Sequence, residues 1–322
     1  MAHKYVNLFC IGTIEGRKLK ENWASLIDLS IVHFMAYPET MSGSGPIAET
    51  VSRIVSDDFF SMIEVTHIND PAVRKEVAGL IETAHARVAF GAQPCILREK
   101  LDINSFDPAK RKESVDKLLP LIDEAKELGA KRLTVLSGPD PGNKREEAGK
   151  LLVDSLMTLC SYAKDRGISM TLETFDRTVE KKSLMGPSEE SLLISKQVRN
   201  KFPDFGLMYD MGHAPLLNED PAKALRLLKD HLVHIHVGNC VKTPGSLAYG
   251  DQHPRFGLKG GENDVPQLVY FLKALIDIGY IPSSPQETSP VVGFELKPVP
   301  GEKSEMIIAN CKRTWEKAWG LL

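Results

Sequence analysis

The sequence predicts a single closed (β/α)8 barrel, in which parallel strands alternate with helices. The chain has 322 residues, 42% of them hydrophobic, which is enough for a large core. From residue 31 onward, short apolar segments alternate eight times with longer amphipathic ones, a pattern typical of a parallel sheet. An open doubly wound sheet is the competing architecture, but no GxGxxG or Walker A motif follows any strand. We therefore predict one domain over 1–322, with an N-terminal segment (1–30) and eight βα units (31–322).

The predicted strands are short and largely apolar, as expected for strands that helices cover on the outside of a barrel. In chain order they are 31–39, 62–68, 87–93, 132–138, 168–175, 205–212, 232–238 and 291–298.

The predicted helices show regular start and stop signals. Asp70 and Asp107 each precede a proline, and Asp is a favourable N-cap while Pro suits the first helical turn. Pro120 is expected to kink the helix that begins at Asp107 and closes at Gly129. The long loops 239–261 and 280–290 are expected to elaborate the active face of the barrel. In chain order the helices are 46–60, 70–85, 107–129, 144–167, 188–202, 220–230, 262–279 and 302–322.

Composition excludes several classes of protein. The formal net charge of −3 gives no overall basic field, which argues against a nucleic-acid partner. No apolar run approaches the length of a membrane span, and the N-terminus carries no convincing export signal. The five cysteines are scattered without CxxC spacing, so we interpret them as reduced thiols of a cytoplasmic protein.

Ionisable residues stand at the carboxyl ends of the last four strands, where a barrel carries its chemistry. A buried charge needs a partner or a metal ion. Three carboxylates and one imidazole suit Mn²⁺, Mg²⁺, Co²⁺ or Zn²⁺, and the alternative is a buried polar network without metal. The four candidate ligands are Glu173, Asp210, His236 and Glu295.

Three further residues are candidates for the pocket. His234 lies one layer below His236, where it could hydrogen-bond to a ligand carboxylate or be an ordinary core histidine. Lys297 follows Glu295 by two positions, and it could neutralise a substrate oxyanion or be solvated. His67 ends the second strand and is a candidate to contact substrate.

Four motifs carry a family resemblance: TLETFD, YDMGH, HIHVGN and FELKP fall in this order on strands five to eight. The chain resembles the xylose isomerase-like TIM-barrel superfamily, which contains sugar isomerases, ketose 3-epimerases, inositol-catabolic enzymes and endonuclease IV. In the epimerases, the equivalents of the four candidate ligands bind one divalent cation. The resemblance also implies that Glu173 and Glu295 exchange a proton with the substrate carbon and that His213 contacts a substrate hydroxyl.

The loop after strand seven departs from the epimerase pattern. Epimerases carry an Asp and an Arg soon after the metal-binding histidine, whereas here Asn239 and Cys240 follow, and the loop continues YGDQHPRFGLKGGEND. Its Asp251 and His253 resemble endonuclease IV, which implies a second metal site formed with His213.

The same loop has other readings. His253 and Arg255 could instead contact substrate, or the loop could simply be solvated. Strand four ends VLSGPDPG and lacks the histidine of the trinuclear endonuclease site, which argues against a nuclease.

The resulting functional prediction is a divalent-metal-dependent isomerase or epimerase that acts on a sugar, sugar phosphate or polyol through an enediolate. The alternative is a metal-dependent lyase or dehydratase acting on an oxo-sugar or inositol. A nuclease and a non-catalytic sugar-binding barrel rank lower. The expected partner is a small carbohydrate, and no membrane is expected. Trp315 and Trp319 lie four residues apart on a helix, where they could pack against the barrel or against a second subunit of a homo-oligomer.

Overall fold

The computed structural model describes residues 22–322, in which eight parallel strands close into a barrel. Each strand pairs with its neighbours in chain order, and the ladder between the first and last strands closes the ring. This confirms the predicted single (β/α)8 barrel. The strands are β1 (Asp28–Val32), β2 (Met62–Val65), β3 (Arg87–Gly91), β4 (Arg132–Leu136), β5 (Ser169–Glu173), β6 (Gly206–Asp210), β7 (Leu232–Gly238) and β8 (Val291–Glu295).

Helices follow the strands and pack on the outside of the ring. The predicted N-caps form, since the Asp70 and Asp107 side chains accept backbone N–H groups of the first helical turn. The helices are α1 (His33–Ala36), α2 (Ile47–Val55), α3 (Pro71–Thr83), α4 (Gln93–Glu99), α5 (Pro108–Glu127), α6 (Arg145–Lys164), α7 (Ser188–Arg199), α8 (Ala214–Leu217), α9 (Pro221–Leu228), α10 (Val265–Asp277) and α11 (Ser304–Gly320).

The first strand differs from its predicted bounds of 31–39. Strand β1 begins three residues earlier, and its ladders with β2 and β8 do not extend past Val32. The apolar residues that follow are buried as the helical turn α1 instead of as strand. Hydrophobicity alone did not distinguish the two, because both conformations bury these side chains. Of the predicted N-terminal segment, residues 1–21 lie outside the described residues.

The predicted role of loop 280–290 is wrong. This loop joins α10 to β8, so it returns the chain to the beginning of a strand and lies at the amino-terminal end of the barrel. There it lines a cavity of about 1150 Å³ together with Arg87 and Arg132. In this fold the chemistry belongs to the opposite end, where the strands finish. Helix α5 continues through Pro120 as a single helix.

The core between barrel and helices is extensive. Trp315 of α11 is fully buried and packs on Trp23, Phe294 and Trp319, with ring centroids 5.7–6.4 Å apart. The four cysteines within residues 22–322 are buried free thiols, and Cys10 lies outside this range. No helix in the described part of the chain is long and apolar enough to cross a membrane.

Candidate metal centre

The four strand-end candidates converge at the carboxyl end of the barrel. Glu173, Asp210 and Glu295 are the last residues of β5, β6 and β8, and His236 lies two residues before the end of β7. One ligand atom from each lies within 4.8 Å of one ligand atom from every other. Residues far apart in the chain therefore form one compact group, because parallel strands bring their carboxyl ends to one edge.

The chemistry of this group fits a divalent cation. Glu173 is 1% exposed and Asp210 is fully buried, yet Glu173 Oε1 and Asp210 Oδ2 have no hydrogen-bond partner among the described residues. Burial, followed by the charge of Glu295, raises the pKa of Glu173 to about 8. Unpartnered buried carboxylate oxygens are costly, and a bound cation would satisfy them.

One ring nitrogen of His236 faces the three carboxylates of the four-residue group. Its Nδ1 lies 2.8 Å from Glu295 Oε2, 3.8 Å from Glu173 Oε1 and 3.9 Å from Asp210 Oδ2. The opposite nitrogen, Nε2, lies 3.0 Å from a carboxylate oxygen of Glu64. The ring therefore presents Nδ1 to the site and keeps Nε2 on a fixed partner.

A second group adjoins the first. Asp251 Oδ1 lies 3.0 Å from His213 Nε2 and 2.8 Å from His253 Nε2, although neither Asp251 oxygen takes part in a hydrogen bond of regular geometry among the described residues. His213 Nδ1 lies 2.7 Å from the Thr174 carbonyl, to which it donates, so Nε2 is left for the site. The structure thus brings together the three residues that the sequence predicts for a second metal.

Lys181, which the sequence analysis missed, balances the charge of this second group. Its Nζ lies 3.2 Å from Asp251 Oδ2 and 2.9 Å from Glu180 Oε1. Although burial opposes ionisation, His213, His253 and Lys181 hold the pKa of Asp251 well below its usual range. Sequence patterns gave no signal for Lys181, because it lies in the irregular segment between β5 and α7.

The remaining predicted contacts differ in their surroundings. His67 Nδ1 pairs with Glu124 Oε2 at 2.6 Å, and Arg255 Nε pairs with Glu302 Oε1 at 2.7 Å. Both side chains are thus engaged by carboxylates outside the four-residue group.

Lys297 is less constrained. Its Nζ donates to the Gln252 side-chain oxygen at 2.8 Å, and no carboxylate among the described residues lies within 4.0 Å. Burial and the nearby Lys181 lower the pKa of Lys297.

Two side chains that support the four-residue group were not among the sequence candidates. Gln93, at the start of α4, donates from Nε2 to Glu173 Oε2 at 2.6 Å. Glu64 lies inside β2 and contacts both His234 and His236. A signal for Glu64 existed, since it is the one charged residue in the apolar stretch MIEV.

Comparison with known proteins identifies the family. The model of the xylose isomerase-like TIM barrel matches residues 55–295, so the chain belongs to this family. The resemblance inferred from the motifs of strands five to eight is thereby confirmed. No curated protein sequence matches the chain significantly.

Several solved structures share the fold at low sequence identity. The D-psicose 3-epimerase of Clostridium cellulolyticum H10, solved with D-tagatose, has 16% identity and a TM-score of 0.65 over 91% of this chain and 98% of that one. The IolI protein with a bound zinc atom has 18% identity and a TM-score of 0.68 over 91% and 98%. An AP endonuclease of family 2 from Brucella melitensis has 16% identity and a TM-score of 0.63 over 88% and 97%.

Proposed function

We propose that this protein is a divalent-metal-dependent isomerase or epimerase acting on a sugar, sugar phosphate or polyol. The observation that carries the proposal is the convergence of three carboxylates and one imidazole at the carboxyl end of the barrel. The similar folds of a D-psicose 3-epimerase and of the zinc-binding IolI protein support it.

In this proposal, Glu173, Asp210, His236 and Glu295 hold the cation. When bound, the cation would polarise a substrate carbonyl and lower the cost of removing the proton on the neighbouring carbon. Glu173 and Glu295 flank the site, and without a cation their pKa values are shifted in opposite directions, whereas a bound cation would favour the ionised form of both. Burial raises the pKa of Glu173 to about 8, whereas His253 and His236, against the effect of burial, lower that of Glu295 to about 2. One glutamate removes the proton, and a glutamate returns it to the other face or to the adjacent carbon.

We assign substrate contacts to His213, His253 and Lys297, which surround the glutamate pair. Lys297 has no carboxylate partner among residues 22–322, so its ammonium is available to a substrate oxygen. Arg255 and His67 would first have to leave Glu302 and Glu124, which makes them secondary candidates.

A second candidate function is a lyase on an oxo-sugar or inositol. His253, from the long loop after β7, has its Nε2 3.6 Å from Glu295 Oε1, so in this reading it would protonate the leaving group next to one of the two glutamates. A second cation on His213, Asp251 and His253 is a further proposal, supported by the position of Asp251 Oδ1 within 3.0 Å of both imidazole Nε2 atoms.

Incubation of candidate ketoses and their phosphates with Mn²⁺-loaded protein in D₂O, followed by NMR, tests the proposal. We expect deuterium on the carbon next to the carbonyl together with an isomeric sugar, whereas loss of a substituent would indicate the lyase. Glu173→Gln and Glu295→Gln should each abolish exchange. The matched control is Glu49→Gln, which changes an exposed glutamate on α2. Near-normal exchange in both site variants would refute the assignment of the glutamate pair.

A further inference from the structure

A buried carboxylate lies on the side of His236 that faces away from the four-residue group. Glu64 Oε2 lies 3.0 Å from His236 Nε2, and Glu64 Oε1 lies 3.0 Å from His234 Nε2. The Ser30 hydroxyl donates to Glu64 Oε1 at 2.5 Å. The Glu64 side chain is only 6% exposed, so three side-chain donors replace its hydration.

A carboxylate therefore lies at each ring nitrogen of His236, Glu64 at Nε2 and Glu295 at Nδ1. A neutral imidazole has one N–H donor and one lone pair, and the carboxylate of Glu64 can only accept. Glu295 Oε2, 2.8 Å from Nδ1, can likewise only accept, so when Nδ1 gives its lone pair to a cation the ring proton stays on Nε2, where Glu64 accepts it. A metal ligand needs this lone pair.

The Glu64 carboxylate fits inside the barrel because residue 293 is a glycine. Gly293 of β8 is in register with Ser30 of β1 on one side and with His236 of β7 on the other. A Cβ atom at Gly293 would overlap both Glu64 Oε1 and Ser30 Oγ. The absence of a side chain at this position lets Glu64 reach beneath His236.

We propose that Glu64 is a positioning residue, which fixes the tautomer and orientation of His236 so that Nδ1 can bind the cation. Ser30 and His234 hold Glu64 in turn, and Gly293 makes room for it. This inference deepens the proposed function and rests on it, since it requires a cation on the four-residue group.

A second cation bound by Glu64, His234 and His236 is the competing reading of the same atoms. It would require both ring nitrogens of His236 to act as ligands at once, with no N–H remaining. The Ser30 hydroxyl already donates to Glu64 Oε1, and both imidazole contacts have ordinary hydrogen-bond lengths. The geometry therefore favours the hydrogen-bonded arrangement, and the ¹⁵N spectrum of His234 and His236 in the metal-loaded protein separates the two.

The first experiment measures Mn²⁺ and Zn²⁺ affinity of the metal-stripped full chain by calorimetry or chelator competition. Glu64→Gln keeps the size of the side chain but presents an amide donor to one of its three donor partners. We expect cation binding 10- to 100-fold weaker, with one ion still bound at the four-residue group. The matched control is Glu124→Gln on α5, which replaces a buried carboxylate that also pairs with a histidine and should leave affinity within twofold.

Two further measurements test the inference if the Glu64→Gln variant does not fold. Gly293→Ala should weaken binding similarly, because its Cβ would displace the Glu64 carboxylate and also press on His236 Cδ2. ¹⁵N NMR of the Zn²⁺-loaded wild-type protein should show His236 protonated at Nε2 and metal-bound at Nδ1, and the reverse assignment would overturn the inference.

The outcomes distinguish this inference from the proposed function. If the wild-type chain binds no divalent ion, the proposed function fails and this inference fails with it. If the wild type binds and Glu64→Gln binds equally tightly, only the positioning role of Glu64 is wrong. Metal bound to both ring nitrogens of His236 and to His234 in the ¹⁵N spectrum would replace that role with a metal site on Glu64, His234 and His236.

Discussion

His33 should make this protein sensitive to mild acid. The side chain is 2% exposed, and its Nε2 donates to Thr50 Oγ1 at 2.8 Å, because the Thr50 hydroxyl proton is used on the Pro46 carbonyl. Burial lowers the pKa of His33 from 6.5 to about 4. Above pH 6.5 both folded and unfolded chains carry a neutral imidazole, so this group gives no pH dependence. Between pH 6.5 and 4 only the unfolded chain takes up the proton, and folding stability falls.

The magnitude follows from the size of the shift. Each pKa unit corresponds to about 1.4 kcal/mol, so His33 alone should remove roughly 2 kcal/mol of unfolding free energy at pH 5 and about 3 kcal/mol by pH 4. His33→Gln retains a donor for Thr50 but does not titrate. Urea unfolding at pH 7.5 and pH 5 should show a smaller loss for this variant than for the wild type, by about 2 kcal/mol.

The control for this measurement is His85→Asn, which replaces an exposed histidine and should follow the wild type. Equal pH dependence of the wild type and His33→Gln would refute the reasoning, because it would mean that burial does not keep His33 neutral.

Three other predictions concern metal, substrate and core. Loading with Mn²⁺ at 100 times its dissociation constant should stabilise the fold by about 2.7 kcal/mol, and a melting temperature that EDTA does not lower would contradict the metal site. Lys297→Met should raise KM for phosphorylated substrates more than for neutral ones; equal changes in steady-state kinetics would argue against an oxyanion contact. Trp315→Ala should cost about 3–5 kcal/mol of unfolding free energy through a buried cavity, measured by denaturation, whereas a loss below 1 kcal/mol would show that the site collapses.

The fold was accessible from sequence because its signals are local. Each strand of a βα unit is recognisable as an apolar run. Asp70 and Asp107 mark helix starts, because each accepts a backbone N–H group of the first turn of its own helix. Errors arose where two structures satisfy the same hydrophobicity, as at residues 33–36, and where a loop had to be assigned to one end of the barrel, as at 280–290.

The sequence predicted only part of the candidate site, because some of its residues carry no local signal. Glu173 and Glu295 stood out because charged residues at the ends of apolar strands are conspicuous and a barrel gathers strand ends. Gln93 and Lys181 come from irregular segments, whose positions depend on tertiary contacts such as the Lys181–Asp251 pair. No local pattern encodes such contacts.

By itself the sequence determined the closed alternation of strands and helices and the chemical character of the strand ends, since both depend on residue type and short-range periodicity. Only the tertiary structure decided which nitrogen of His236 faces the other three candidate ligands. That orientation depends on Glu64 from β2 and on the space left by Gly293 of β8. Those residues lie 172 and 57 positions from His236 in the chain. They meet only when the barrel closes.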